Sequence, residues 1–168
     1  SSRSISGTLK SVTEDPENLE EAWDMIVGTY EYNSSTDEFD KTDEGGDEVI
    51  IQFPGLESDL TNTAEIKVSN LNYIEVTEPY YSGDEEDVSL EGQQLPTSLN
   101  TELSYEGDVL ATWDFSASYE NNGMPTSFSS VLTIEPYSIS ATLTHSPYSQ
   151  ATTKYSFKKG SKILLETY

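Results

Sequence analysis

His145 is the only imidazole in the sequence, and no cysteine is present. A hydroxyl nucleophile of the triad type needs an imidazole held against it, so any such chemistry here would run through His145. That residue closes an alternating segment just before Ser146-Pro147, and no Gly-x-Ser-x-Gly elbow occurs anywhere. A strand-terminal histidine that caps a core or meets water accounts for the placement more simply than catalysis. Thiolate and multi-imidazole metal sites cannot be built from this composition. Carboxylates, in contrast, abound: 31 Asp and Glu against 8 Lys and Arg, a formal charge of −23. A glycosidase holds two carboxylates about 5–10 Å apart on rigid elements, but such abundance guarantees candidate pairs and singles out none. Asp114 is the most distinctive acid, because it falls mid-strand in a nearly neutral stretch. Its Ser/Thr-rich face points it most simply to water.

Two acidic runs offer hard oxygen ligands. Asp43, Glu44 and Asp47 surround Gly45-Gly46, and Asp84, Glu85 and Asp87 follow Gly83. Calcium takes six to eight oxygens, yet neither run fits the D-x-[DN]-x-[DN]-G loop. Solvated acidic loops with at most weak calcium binding are the expectation. Tyr80 and Tyr81, in Pro79-Tyr80-Tyr81-Ser82-Gly83, are adjacent aromatics beside the second run and could form a platform for a sugar. Glycine-rich phosphate cradles and basic aromatic patches are absent. No catalytic residue is assigned, and the expectation is a protein that is not an enzyme.

The elements that would position these groups are mostly strands. Residues 15–27 read as a helix, with Asp15 as N-cap, Pro16 in the first turn and an apolar stripe of Leu19, Ala22, Trp23 and Ile26. Gly28 ends it. Thr29–Tyr32 and Glu48–Phe53 flank an acidic loop and read as a hairpin, with Val49, Ile51 and Phe53 on one face. Ala64, Ile66 and Val68 alternate with polar residues, and Tyr73–Thr77 is a further strand. Residues 78–94 read as a loop, and Pro96 with the polar run 97–101 as a restart of the chain.

The clearest pattern lies at 109–119. Val109, Ala111, Trp113, Phe115, Ala117 and Tyr119 share one face and Leu110, Thr112, Asp114, Ser116 and Ser118 the other, the mark of a half-buried antiparallel strand. Asn121-Asn122-Gly123 signals a turn. Then follow a strand with Phe128, Ser130, Leu132 and Ile134 inward, a break at Pro136, and a strand with Tyr137, Ile139, Ala141, Leu143 and His145 on one face. After Pro147 come Thr152–Phe157 and Lys162–Tyr168, joined by Lys159-Gly160-Ser161. The result is a meander, apolar on one side and Ser/Thr on the other; Ser and Thr total 42 of 168 residues.

Charge is divided unevenly along this chain. Residues 1–107 hold 26 acids and 4 bases, whereas 108–168 hold 5 and 4. The excess acid repels phosphate backbones and anionic membranes, which excludes nucleic acid as a partner. No run approaches the roughly 18 apolar residues of a spanning helix. Abundant Ser, Thr, Tyr and Asn with few bases suits an exported envelope or secreted β protein.

The segments Gly28–Thr42 (GTYEYNSSTDEFDKT), Asp47–Pro54 (DEVIIQFP), Leu95-Pro96-Thr97, Ser118–Thr126 (SYENNGMPT) and Leu132–Tyr137 (LTIEPY) resemble β-rich envelope lipoproteins of Bacteroidetes-type gut bacteria, over roughly residues 20–168. The resemblance implies export, a signal peptide and lipidated cysteine upstream of Ser1, and a periplasmic or outer-membrane-anchored location. It brings no catalytic residues, and its motifs look like strand and turn punctuation.

These readings converge on an α+β, mostly β fold. Residues 1–14 are expected to be a flexible N-terminal segment. Residues 15–168 are expected to form a single domain with a large, curved antiparallel sheet, an open half-barrel like that of lipoprotein carriers, and the helix packed on it. A closed barrel or a sandwich is the alternative. Trp113, Phe115, Tyr119, Phe128 and Tyr137 would line either a core filled by the helix or a groove for a lipid or other apolar ligand. The expected function is non-enzymatic binding or a structural role in the envelope. The alternatives are a carbohydrate-binding module or carbohydrate-active enzyme, and a calcium-stabilised adhesion domain.

Overall fold

The computed structural model describes residues 16–56, 58–79, 90–146 and 149–168. One helix, α1 (Leu19–Ile26), precedes ten strands: β1 (Gly28–Asn33), β2 (Glu38–Asp43), β3 (Val49–Leu56), β4 (Asp59–Glu75), β5 (Gln94–Tyr105), β6 (Asp108–Tyr119), β7 (Pro125–Ile134), β8 (Tyr137–Ser146), β9 (Ser149–Lys159) and β10 (Lys162–Thr167). Hydrogen bonding orders them β10-β9-β8-β7-β6-β5-β4-β3-β1-β2. The fold is therefore α+β and mostly β, a short helix packed on one mixed sheet that does not close. Its edges are β10 and β2, so the barrel and sandwich alternatives fall. By contact density the described residues form two compact units, one of residues up to 69 with 101–110, the other of residues 70–100 with 111–168.

The first unit is built around glycine and a small core. The helix begins later than its sequence suggests. Asn18, not Asp15, is the N-cap: its side-chain oxygen accepts from the Glu21 backbone N–H at 2.9 Å, and the Glu21 carboxylate accepts from Glu17 N–H at 2.8 Å. This reciprocal arrangement satisfies two donors that no helical carbonyl can reach. Leu19, Ala22, Trp23 and Ile26 are half-buried along one stripe, as their spacing requires. The Tyr30 hydroxyl donates to the Ile26 carbonyl at 2.9 Å and ties the helix end to β1.

The hairpin reading of 29–53 is corrected. β1 pairs parallel with β3 (Gly28↔Val49 to Glu31↔Gln52) and antiparallel with β2, which occupies much of the supposed acidic loop. A strand containing Glu38, Asp40 and Asp43 is tolerated because β2 lies at the sheet edge, where charges stay in water. A turn with Asp37 at φ +59° reverses the chain into it, and the Asp37 N–H donates to the Asn33 carbonyl at 2.9 Å. Antiparallel register then matches Val49 with Val68, Ile51 with Ile66 and Phe53 with Ala64. The two alternating runs read from sequence thus share one face, and Tyr30, Val49 and Ala64 are its buried members.

The second unit contains the meander. β6 to β10 fall where alternation placed them, with a turn at Glu120–Met124 (Gly123 N–H to Glu120 O, 2.9 Å) and Glu135–Pro136 between β7 and β8. Two readings change. Tyr73–Glu75 is the end of the 17-residue β4, with Val76 and Thr77 beyond it, and Pro96 with residues 97–101 belongs to strand β5. Here Val76, Leu90 and Leu95 gather under Gly123, and Val76 is the only apolar side chain of this unit that is fully buried among the described residues.

Candidate functional site

In an antiparallel ladder, residues paired directly across point to the same side of the sheet. The register of β6–β10 therefore lays out a row Trp113–Leu132–Ile139–Phe157–Leu165 and, beside it, Phe115–Ser130–Ala141–Tyr155–Thr167. Ile134 and Tyr137 pair on the same side. Rings link the rows: Phe115 lies 6.4 Å from Trp113 and 6.1 Å from Phe128, and Tyr137 stacks on Phe157 at 5.8 Å and 18°. The Lys159 ammonium sits over the Tyr137 ring at 5.6 Å. The Trp113 indole N–H, which would be costly to leave unpaired, donates to Ser130 Oγ at 2.8 Å.

This face is open. Trp113, Leu132, Ile134, Tyr137, Ile139, Tyr155 and Leu165 are each between 36% and 65% exposed. None of them is buried. An enclosed small-molecule site is not formed by them either. The hollow lined by Leu132, Ile134, Tyr137, Ile139 and Phe157 measures about 40 Å³, whereas small-ligand pockets run to roughly 300–1,000 Å³. Larger hollows of about 420 and 310 Å³ are lined by Asn18, Glu20, Glu21, Asp24 and Met25, and by Glu78, Glu120, Asn121 and Asn122.

Of the aromatics expected on this face, Trp113 and Tyr137 are exposed on it, and Phe115 and Phe128 are half-buried within it. Tyr119 does a different job. It follows a register shift after Ser118, its hydroxyl donates to the Pro96 carbonyl at 3.1 Å, and burial pushes its phenol pKa up from 10.0. Sequence reasoning missed Tyr155, Phe157 and Leu165 as members of the patch. The alternation Lys154-Tyr155-Ser156-Phe157-Lys158 carried that signal for two of them.

The polar candidates do not assemble chemistry. Asp114 accepts from the Asn100 amide, at the end of a ladder in which Asn70 donates to Asn100 at 3.0 Å, Ser98 to the Asn70 carbonyl at 2.8 Å and Asn72 to Ser98 at 2.7 Å. Its partner is an amide, not a second carboxylate. His145 is half-buried, and its Nδ1 has no hydrogen-bond partner among the described residues. Asp43 accepts from Gly45 N–H at 2.8 Å in a local turn, and Glu44 and Asp47 are exposed. Among the described residues no three Asp, Glu or His side chains converge as a cation site. Tyr80, Tyr81, Asp84, Glu85 and Asp87 lie outside the described residues.

The far side of the meander carries a charged cluster. Lys154 Nζ lies 2.8 Å from Glu166, Tyr168 donates to Glu166 at 2.7 Å, and Lys154 sits 5.3 Å over the Tyr168 ring. The hydrogen bond from Lys154, aided by that from Tyr168, lowers the Glu166 pKa, and Glu166 in turn raises that of Lys154.

Fold and surface together define an open-sheet α+β protein with an uncovered apolar face. No protein-family model, curated protein or solved structure matches the chain. No described helix is long and apolar enough to cross a membrane.

Proposed function

We propose that this is a non-catalytic binding protein that docks an apolar partner on the β6–β10 face. The observation that carries the reading is the set of seven large apolar side chains left in water on one side of one compact unit. Taking full areas of order 200 Å² each, they present roughly 700 Å², more than the ~300–600 Å² patch of an ordinary monomer. The small volume of the hollow favours contact across a surface over capture in a cavity.

The test is the brightening of Nile red, an uncharged apolar dye suited to a chain of charge −23. Dilute wild-type protein should brighten it, and the double variant Ile139→Thr/Leu165→Thr should do so several-fold less while keeping its circular dichroism. A dilute wild-type monomer that leaves the dye dark, or a variant that matches the wild type, would overturn the proposal.

A further inference from the structure

We infer that the partner docked on this face is a second copy of the chain, packed face to face so that two single-layer meanders become a two-layer sandwich. The inference rests on the docking role proposed above and names its occupant.

Three observations lead to it. First, strands bury apolar faces against a second layer, and the second unit supplies only Val76 as a fully buried apolar side chain among its described residues. The missing layer must resemble in extent the face it covers, and another β6–β10 meander does so by construction, at the ~10 Å sheet spacing of aligned sandwiches. Second, the area suffices. The roughly 700 Å² of exposed apolar surface approaches the ~800 Å² per partner of a standard stable interface, before the half-buried Phe115, Phe128 and Phe157 are added.

Third, charge permits the approach. Residues 111–168 hold four acids (Asp114, Glu120, Glu135, Glu166) and four lysines (Lys154, Lys158, Lys159, Lys162). Asp114, Lys158, Lys154 and Glu166 belong to the opposite side, since their ladder partners Val131, Ser138, Thr142 and Ser156 do. Lys159 and Lys162 pair with each other beside Tyr137 and so lie on the apolar side, but only at its β9–β10 turn end. A partner whose strands run the opposite way keeps the two lysine pairs at opposite ends of the interface. Pairing through the sheet edges is discouraged instead. β2 carries Glu38, Asp40, Lys41 and Asp43, and β10 is interrupted by an irregularity at Leu164 between Lys162 and Glu166.

Sedimentation velocity from micromolar to sub-millimolar protein, at low and high salt, tests this. A monomer–dimer equilibrium is expected, stronger at high salt, because screening weakens the repulsion between chains of charge −23 while apolar contact remains. Ile139→Thr/Leu165→Thr should raise the dissociation constant at least about tenfold. Because the chain has no cysteine, Ile139→Cys and Ser140→Cys give an independent readout on opposite faces. Mild oxidation should cross-link the former far faster than the latter. A chain that stays monomeric throughout, a dimer indifferent to the double variant, or equal cross-linking at both positions would overturn the inference. A persistent monomer that still brightens Nile red would do so while leaving the docking role standing. A persistent monomer that leaves the dye dark removes both.

Discussion

Of the described glycines Gly28 has the closest neighbour, and replacing it with alanine makes a quantitative demand on the structure. It sits at φ +129° where β1 enters between β2 and β3, and its N–H donates to the Glu48 carbonyl at 2.8 Å. A Cβ there would lie 2.2 Å from the Asp43 carbonyl oxygen and 2.7 Å from Lys41 Cε. The lysine end can swing aside, but the carbonyl is backbone and must retreat by about 1 Å to reach an ordinary contact. Residues held in such a conformation cost roughly 1–3 kcal/mol, and the retreat breaks one or two ladder hydrogen bonds at about 1 kcal/mol each.

Gly28→Ala should therefore cost about 2–5 kcal/mol in urea unfolding, or release β2, which is held on one side only. Gly160→Ala is the control. Gly160 has φ +55° and nothing within 4 Å of its added Cβ, so only the ~1–2 kcal/mol left-handed penalty applies. Hydrogen exchange should show lost protection over Glu38–Asp43 in Gly28→Ala and none in Gly160→Ala. Equal urea midpoints for the two variants, with β2 protection intact, would refute the packing described for β1–β3.

Two further expectations test other parts of the molecule. Val76 is 1% exposed and Ile139 is 56% exposed, so Val76→Ala should cost about 2 kcal/mol and Ile139→Thr about 1 or less in dilute protein; a larger loss for Ile139→Thr in the monomer would mean the face is covered. Glu166 should titrate below its ordinary 4.5 by carboxyl NMR and return towards it in Lys154→Met. Its lowered folded pKa contributes stability above 4.5 that is lost as acid passes the folded value, while the raised pKa of Lys154 contributes stability below 10.5 that is lost in alkali. A midpoint indifferent to Lys154→Met would contradict the ion pair.

Alternation exposed the C-terminal meander in the sequence because each of β6–β10 is locally self-describing: period-two patterning, then Gly, Pro or Asn at the turn. β5 also alternates, with Leu95, Leu99 and Leu103 on one side, but Pro96 and the polar residues between obscured it. Its residues are half-buried on both faces, which dilutes the contrast that alternation depends on. β2 was illegible for a different reason. An edge strand can be built from acids, so composition there reports solvent, not secondary structure. The parallel pairing of β1 with β3 is a long-range choice that no local pattern encodes. As for the patch, the sequence showed which side chains share a face; whether anything covers them is a property of the folded chain.

The irregularity at Leu164 sets a limit on growth. Ile163 pairs with Lys158 and Leu165 with Phe157, so one residue of β10 is extra to the count of its neighbour. A regular last strand would offer each newcomer the same alternating template, and strands could accrue one after another without end, as in a fibre. The surplus residue puts the two halves of β10 out of phase, so a straight incoming strand can match one half or the other but not both. The sheet thus has a terminus in the sense that a polymer has a capped end. A straight strand arriving at this edge therefore meets two short templates and no continuous one.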